Sequence, residues 1–321
     1  MSRPNHVVVT GGAGFIGSHL IERLLADGKT VTVIDDLSTG SLENLRLVTS
    51  NPLLRVIKSK VSECRELERI VAESESIYHL AAAVGVELVV NSPIRTIQTN
   101  LRETEVVLET ASKNRTPVLL ASTSEVYGKS QKPAFSEDDD LLIGPPYLGR
   151  WSYACSKLMD EFLALAYARE RNLPVIIARL FNTVGPRQTG RYGMVLPRFI
   201  TAAKAGGVLS VHGDGRQTRC FCYVNDTVEA LVRLQNCPAA RGEIFNVGST
   251  EEISIYELAL LVVRTLNSSS PIELMPYSKA YTPGFEDMLR RKPLIDKLRI
   301  VTGFCPTIRL LKTIELTSAS V

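Results

Sequence analysis

The chain of 321 residues has no uninterrupted apolar run of the roughly 18 residues that a membrane span needs. Its net charge is only +3, and its basic residues form no long run. The composition therefore predicts neither a membrane nor a nucleic-acid partner. The first residues lead straight into a predicted strand, so we also expect no signal peptide.

Cysteine pairs with the spacing of a redox motif or a zinc site are also missing. Cys220 and Cys222 are separated by one residue, which fits neither Cys-x-x-Cys nor a zinc knuckle. We expect reduced thiols packed as small apolar groups, a cytoplasmic protein and no metal. The six scattered cysteines are Cys64, Cys155, Cys220, Cys222, Cys237 and Cys305.

What the sequence does contain is a regular alternation of short apolar runs with amphipathic stretches. Such alternation predicts right-handed βαβ units and an α/β fold, a Rossmann-type doubly wound parallel sheet covered on both faces. The predicted strands are 6–10, 30–34, 54–58, 76–80, 118–121, 175–181 and 243–247.

The alternation loosens after about residue 183, where glycine and proline become frequent. We predict an NAD-binding domain over 1–182, to which 222–253 returns. Residues 183–221 and 254–321 are predicted to form a smaller C-terminal substrate-binding domain. It should cap the C-terminal edge of the sheet, where open α/β sheets hold ligands.

A glycine-rich turn follows the first predicted strand. Gly12, Gly14 and Gly17 form G-x-G-x-x-G, and Gly11 begins an overlapping G-x-x-G-x-x-G. A side chain at these positions would block the tight turn or hold the backbone away from a pyrophosphate. The helix that follows, opening at Phe15-Ile16, offers its N-terminal N–H groups to the phosphates.

An acidic pair ends the second predicted strand. Asp35 stands 18 residues after Gly17, where a carboxylate can hold the ribose hydroxyls of the cofactor. Asp36 adds a second negative charge that would repel a 2′-phosphate, so NAD is favoured over NADP. The alternative is a structural glycine turn beside a solvated acidic loop.

A second group of polar residues suggests proton transfer. Thr123 and Ser124 follow a predicted strand, and Tyr153 and Lys157 lie four residues apart, on one face of a predicted helix. A nearby ammonium and a nicotinamide cation would lower the pKa of the phenol. Tyr153 could then take a proton from a sugar hydroxyl while carbon loses hydride to NAD. The alternative is a surface pair on an amphipathic helix.

Together these motifs resemble the extended short-chain dehydrogenases/reductases that act as nucleotide-sugar epimerases and dehydratases. The resemblance runs over nearly the whole chain. Its segments are Thr10 to Gly17, Tyr78 to Ala82, Tyr153 with Lys157, Arg179 to Asn182 with Gly185 to Arg187, and Tyr223 to Asp226.

The resemblance implies tightly bound NAD, a nucleotide-sugar substrate and usually a homodimer. It places Leu80, Ala81 and Ala82 at the cofactor, and Asn182 and Arg187 on the substrate side. The chain departs from the family at Ser59-Lys60, where relatives commonly carry Gly-Asp facing adenine.

Within the family, the chain is most similar to UDP-glucuronate decarboxylases around Glu125, Trp151 to Lys157 and Arg291-Lys292-Pro293. Oxidation at C4 of a glucuronate makes a β-keto acid that can lose carbon dioxide. Thr123 and Ser124 could orient the carboxylate, and Glu125 with Arg291 could transfer the proton at C5. We therefore predict a lyase that converts UDP-glucuronate into UDP-xylose with internal recycling of NAD.

Other interpretations stay open. The chain could be a 4-epimerase of UDP-glucose or UDP-glucuronate, a nucleotide-sugar 4,6-dehydratase, or a non-catalytic NAD-binding regulator. Glu125 could be a helix N-terminal acid, and Arg291 a surface charge. Arg219 suits a diphosphate because a guanidinium forks onto phosphate oxygens, but it could instead form a structural ion pair.

Overall fold

The computed structural model describes residues 5–83, 92–189, 194–277 and 288–320. Its largest feature is a seven-stranded parallel sheet in the order β11-β6-β5-β4-β1-β2-β3. These strands are β1 (His6–Thr10), β2 (Thr30–Asp35), β3 (Leu54–Lys58), β4 (Ser76–His79), β5 (Val118–Thr123), β6 (Val175–Leu180) and β11 (Glu243–Val247). The predicted Rossmann-type fold is confirmed.

Helices cover both faces of the sheet because its central strands are apolar on both sides. One apolar layer packs on α1 and α6, and the other on α2, α3 and α4. The helices are α1 (Phe15–Ala26), α2 (Leu67–Ala72), α3 (Pro93–Asn114), α4 (Trp151–Arg171), α5 (Val195–Lys204), α6 (Val224–Gln235), α7 (Ile255–Thr265), α8 (Asp296–Thr302) and α9 (Leu310–Ser318).

Local signals explain where several of these helices begin and end. Pro93 opens α3, where its missing N–H costs nothing, and Ser254 caps α7 in a capping box with Glu257. Helix α4 ends at Asn172, whose φ of 53° lies in the left-handed region that asparagine tolerates. These signals fix the ends of the segments that carry the site.

Three small sheets lie outside the large one. Their strands are two to four residues long, which is too short to show a periodicity in the sequence. Their strand orders are β12-β9-β14, β10-β7 and β13-β8. The strands are β7 (Thr183–Val184), β8 (Leu209–His212), β9 (Thr218–Cys220), β10 (Cys222–Tyr223), β12 (Glu252–Ser254), β13 (Ile272–Met275) and β14 (Arg290–Arg291).

A separate apolar cluster joins α5, α7 and α9 to β8. Helix α8 instead packs against α6 and β11, on the side of the large sheet. The division of the chain into two domains stays a prediction. None of the helices in the described ranges combines the length and the apolar character needed to cross a bilayer.

Candidate active site

A pocket of about 570 Å³ opens where the large sheet presents the C-terminal ends of its strands. The chain direction of the crossovers reverses between β1 and β4, which is where doubly wound sheets bind ligands. The predicted site residues that line this pocket are Gly11, Gly14, Phe15, Ile16, Gly17, Asp35, Asp36, Leu80, Ala81, Ala82, Thr123, Ser124, Glu125, Tyr153, Lys157, Asn182, Arg187, Arg219 and Arg291.

The glycine-rich turn leaves no room for side chains. Gly11 has a φ of +70°, and a Cβ built on it would lie 2.7 Å from the backbone nitrogen of Ala81. A Cβ on Gly17 would overlap the carbonyl oxygen of Gly11. Gly14 is the N-cap of α1, so the helix begins at the pocket wall with N–H groups that a pyrophosphate can use. The cradle fits a dinucleotide.

Asp35 ties this turn to the end of β2. Its Oδ2 accepts a hydrogen bond from the Ala13 N–H at 2.9 Å, and its Oδ1 accepts one from the Leu37 N–H at 2.8 Å. Burial raises the pKa of the Asp35 carboxyl, against the lowering effect of these two bonds. Asp36 accepts from the Ser38 N–H at 2.9 Å. Both carboxylates therefore line the pocket in positions fixed by backbone N–H groups.

Leu80, Ala81 and Ala82 follow β4 and form the facing wall. The Leu80 N–H donates to the Thr10 carbonyl at 3.1 Å, and the Ala81 N–H donates to Thr10 Oγ1 at 3.3 Å. This wall is thus bonded to the strand that leads into the glycine-rich turn.

Thr123, Glu125 and Tyr153 meet at the end of β5. This strand runs two residues further than predicted, because Ser122 and Thr123 stay in register with β6. A short 3₁₀ turn over Ser124–Tyr127 follows, and Thr123 Oγ1 accepts from the Glu125 N–H at 3.2 Å. Thr123 also acts to lower the pKa of the Tyr153 phenol. One threonine thus caps the start of the turn and influences the phenol.

Lys157 lies one helical turn beyond Tyr153 on α4, but it has another partner. Its Nζ donates to Asp160 Oδ2 at 2.7 Å, and the two side chains are 2% and 0% exposed. The alternative of a surface pair on an amphipathic helix is therefore wrong for Lys157.

The phenol is not acidified by the chain alone. Burial raises the pKa of Tyr153, and the negative charges of Glu125 and Asp160 raise it further; the hydrogen bond with Thr123 acts the other way. The lowering of this pKa by the ammonium together with a nicotinamide cation stays a prediction, and in the chain alone the ammonium is held by the Asp160 carboxylate.

Arg291 meets Glu125 across the pocket. Its guanidinium lies 3.4 Å from Glu125 Oε1, with the side chains 14% and 20% exposed. The neighbouring Arg290 and Lys292 both pair instead with Glu252. The three consecutive basic residues thus have different partners. Arg291 alone of the three lines the pocket, so it is not a plain surface charge.

The three remaining predicted substrate residues are held in different ways. Asn182, at a φ of 31°, donates through Nδ2 to the Cys220 carbonyl at 3.0 Å. Arg187 pairs with Glu22 of α1 at 2.5 Å, so it joins the pocket to the cofactor side. Arg219 is buried on β9, in register with Arg291 of β14.

Sequence reasoning did not single out many further residues of the pocket wall. Asn44 donates to the carbonyl of Ala13, the residue whose N–H bonds Asp35. Its position shortly after β2 was the only feature of the sequence that could have indicated a place in the site. Ser59 and Lys60 line the wall where the departure from the family was noted. The other missed residues include Ser38, Thr39, Ser41, Val61, Glu103, Arg150, Gln188, Ser210, His212, Gln217 and Tyr277. In the described part of the chain no group of His, Cys, Asp or Glu is arranged to hold a metal ion.

A glycine-rich phosphate cradle, an acid at the end of β2 and a Tyr-x-x-x-Lys pair in one pocket define a dinucleotide-dependent enzyme of the short-chain dehydrogenase type. The model of the NAD dependent epimerase/dehydratase family matches residues 7–248, and the chain belongs to that family. Its cofactor is NAD.

Two curated relatives are similar over nearly the whole chain. A UDP-N-acetyl-alpha-D-glucosaminuronate decarboxylase of Bacillus cytotoxicus is 43% identical over 94% of this chain and 92% of the relative. UDP-glucuronic acid decarboxylase 2 of Arabidopsis thaliana is 38% identical over 97% of this chain and 66% of the relative.

Among solved structures, the chain resembles a UDP-glucuronic acid 4-epimerase from Bacillus cereus in complex with UDP-glucuronic acid and NAD. The TM-score is 0.87 and the identity 27%, with 98% of both chains covered. The fold is thus shared with a protein whose solved structure holds UDP-glucuronic acid and NAD.

Proposed function

We propose that this chain is an NAD-dependent decarboxylase that converts UDP-glucuronate into UDP-xylose through a 4-keto intermediate. The observation that carries the proposal is the ion pair between Glu125 and Arg291, which lies in the same pocket as Tyr153 and Thr123. A simple 4-epimerase needs no such pair, because it only returns the hydride to the other face of the ring. The names of the two curated relatives support the same reaction type.

In this proposal Tyr153 removes the proton of the C4 hydroxyl. NAD, which the glycine-rich turn and Asp35 would hold, would supply the acceptor for the C4 hydride and the donor for its return, and its positive ring would favour the phenolate form of Tyr153. Thr123 and Ser124, which line the same pocket, are proposed to orient the C6 carboxylate of the sugar.

Loss of carbon dioxide from the β-keto acid leaves an enolate whose C5 must gain a proton. Glu125 and Arg291 are proposed to deliver this proton. Both side chains line the pocket, and the Arg291 guanidinium holds the Glu125 carboxylate next to it. Arg219 is proposed to bind the diphosphate, with Asn182 and Arg187, which line the same pocket, as further substrate residues.

Incubation with UDP-glucuronate tests the proposal. We expect release of carbon dioxide and a UDP-pentose by mass spectrometry, without net consumption of added NAD. An epimer that keeps its sixth carbon, or a 4-keto-6-deoxy sugar, would replace the proposal with one of the alternatives. No change in UDP-glucuronate would overturn it.

A second candidate substrate is UDP-N-acetylglucosaminuronate, which the 43% identical relative is named for. The reaction and the proposed residues are the same, and the difference lies at C2 of the sugar. Competition between the two uronates in one reaction, followed by mass, decides between them by the ratio of kcat/KM values.

We also propose that the chain works as a homodimer in the cytoplasm. Met159 and Phe162 on α4 are 54% and 59% exposed, and Ile94 and Ile97 on the adjacent α3 are 72% and 37% exposed. Two neighbouring helices that both expose apolar side chains are suited to pack on the same helices of a second copy. The six free thiols are consistent with a reducing compartment.

Replacing Phe162 with aspartate should convert this dimer into a monomer. The charge would be buried without a partner in the proposed interface. Light scattering coupled to gel filtration measures the mass directly. Leu260→Asp, on an exposed position of α7, is the matched control and should leave the mass unchanged. A wild-type protein of monomer mass would contradict the proposal.

A further inference from the structure

The buried ammonium of Lys157 is neutralised from within its own helix. Asp160, three residues further along α4, accepts its hydrogen bond at 2.7 Å, and neither side chain is more than 2% exposed. A buried charge pair of this kind is screened little by solvent, so its geometry persists at any salt concentration.

Further polar groups of the described residues lie beside the pair. His79 Nδ1 lies 2.7 Å from Thr10 Oγ1, and His79 Nε2 lies 3.1 Å from Thr104 Oγ1. Burial, followed by the charge of Lys157, lowers the pKa of His79 to about 3, so this ring is neutral at physiological pH. The second carboxylate oxygen of Asp160, Oδ1, is buried and accepts no hydrogen bond from the described residues.

The charges of Glu125 and Asp160 both act against the phenolate form of Tyr153. Glu125 is paired with Arg291, and Glu161, which follows Asp160, is paired with Arg179 at 2.8 Å. Among the described residues, the Lys157 ammonium donates its side-chain hydrogen bond to Asp160.

We propose that Asp160 is a positioning residue that sets the pH at which Tyr153 becomes a base. It holds Lys157 in place and cancels its charge, so the chain delays formation of the phenolate until the positively charged cofactor is bound. The inference rests on the proposed function in that Tyr153 must lose a proton before C4 is oxidised.

Asp160→Asn tests the charge without removing the contact. The asparagine side-chain oxygen can still accept from Lys157, but the negative charge is gone, so the pKa of Tyr153 should fall. A proton acceptor with a lower pKa is active at lower pH. The acidic limb of the kcat profile should move down by about one pH unit, which is roughly a tenfold faster rate on that limb.

Asp160→Glu is the control because it keeps the charge and should leave the limb near its wild-type position. Melting temperature and NAD content report whether each variant is folded. An unmoved limb in folded Asp160→Asn, or an equal loss of kcat at every pH, would overturn the proposal and make Asp160 a structural residue.

A measurement on the unmodified protein covers the case in which Asp160→Asn does not fold. The tyrosinate absorbance of wild type minus that of Tyr153→Phe, titrated with pH before and after NAD is added, reports Tyr153 directly. We expect a pKa above that of free tyrosine without NAD, and a clear decrease with NAD. A value below that of free tyrosine without NAD would overturn the proposal. This titration needs no sugar, so it is independent of the proposed substrate.

Discussion

Tyr153→Phe is expected to lower kcat for UDP-glucuronate about a thousandfold, within the range that general acid–base groups contribute. Phenylalanine keeps the ring and its packing, and it removes only the hydroxyl, which lines the pocket as part of Tyr153. The loss should therefore appear in kcat, because the step that needs the phenolate is chemical. Product formation followed by mass spectrometry measures it.

Tyr147→Phe is the matched control for that variant. Tyr147 lies shortly before α4 and is 83% exposed, so its hydroxyl should contribute nothing to turnover. NAD content should remain unchanged in both variants. If Tyr153→Phe kept more than about a tenth of the wild-type rate, Tyr153 would not be the base.

The sequence predicted the large sheet well because each of its central strands is a run of apolar or β-branched residues bounded by polar turns. β1 is the clearest example, since the valines of His6–Thr10 are buried on both faces of the sheet. A strand of this kind can only be central and parallel. The glycine-rich turn was equally readable, because steric clashes rather than distant contacts decide where its glycines must stand.

The ion pairs of the site and their effect on the pKa of Tyr153 could not be predicted from the sequence in the same way. Tyr153 and Lys157 share a helix face at the predicted spacing, but that spacing does not say which partner the ammonium takes. Asp160 is one of several charged residues on α4, and its burial depends on the packing of α3 against α4. The sequence thus predicted which residues meet, but it did not show that burial and the charges of Glu125 and Asp160 raise the pKa of the phenol in the chain alone.

Long-range contacts define the other half of the site. Glu125 and Arg291 are 166 residues apart, and they meet because the two-residue strand β14 pairs with β9. Strands of two or three residues carry no periodicity, so their pairing cannot be predicted from the sequence. The resemblance to decarboxylases suggested Arg291 as a site residue, which the residue pattern of the chain alone could not do.

Two charge pairs of the site have different proposed consequences. The pair of Lys157 and Asp160 is closed to solvent and is proposed to act on the first step, oxidation at C4. The pair of Glu125 and Arg291 is partly open to the pocket and is proposed to act on C5. Because the charge of Glu125 also raises the pKa of Tyr153, the two steps are separated by following NADH and product in the same reaction.

Glu125→Gln is expected to leave oxidation at C4 working and to slow UDP-xylose formation about a hundredfold, at the lower end of what a proton-transfer group contributes. Glutamine is nearly the same size and can still accept from Arg291, but it cannot deliver a proton to C5. Because the hydride is returned only after C5 is protonated, NADH should accumulate on the enzyme and can be followed by its absorbance.

Arg291→Gln should show the same accumulation, and the double variant should be little worse than either single one, because the two side chains act as one unit. Arg290→Gln is the matched control, since this neighbour pairs with Glu252 instead. If Glu125 serves only to begin the turn over Ser124–Tyr127, both steps should slow together and no NADH should appear. That result would remove Glu125 from the chemistry and with it the main structural support for a decarboxylase over an epimerase.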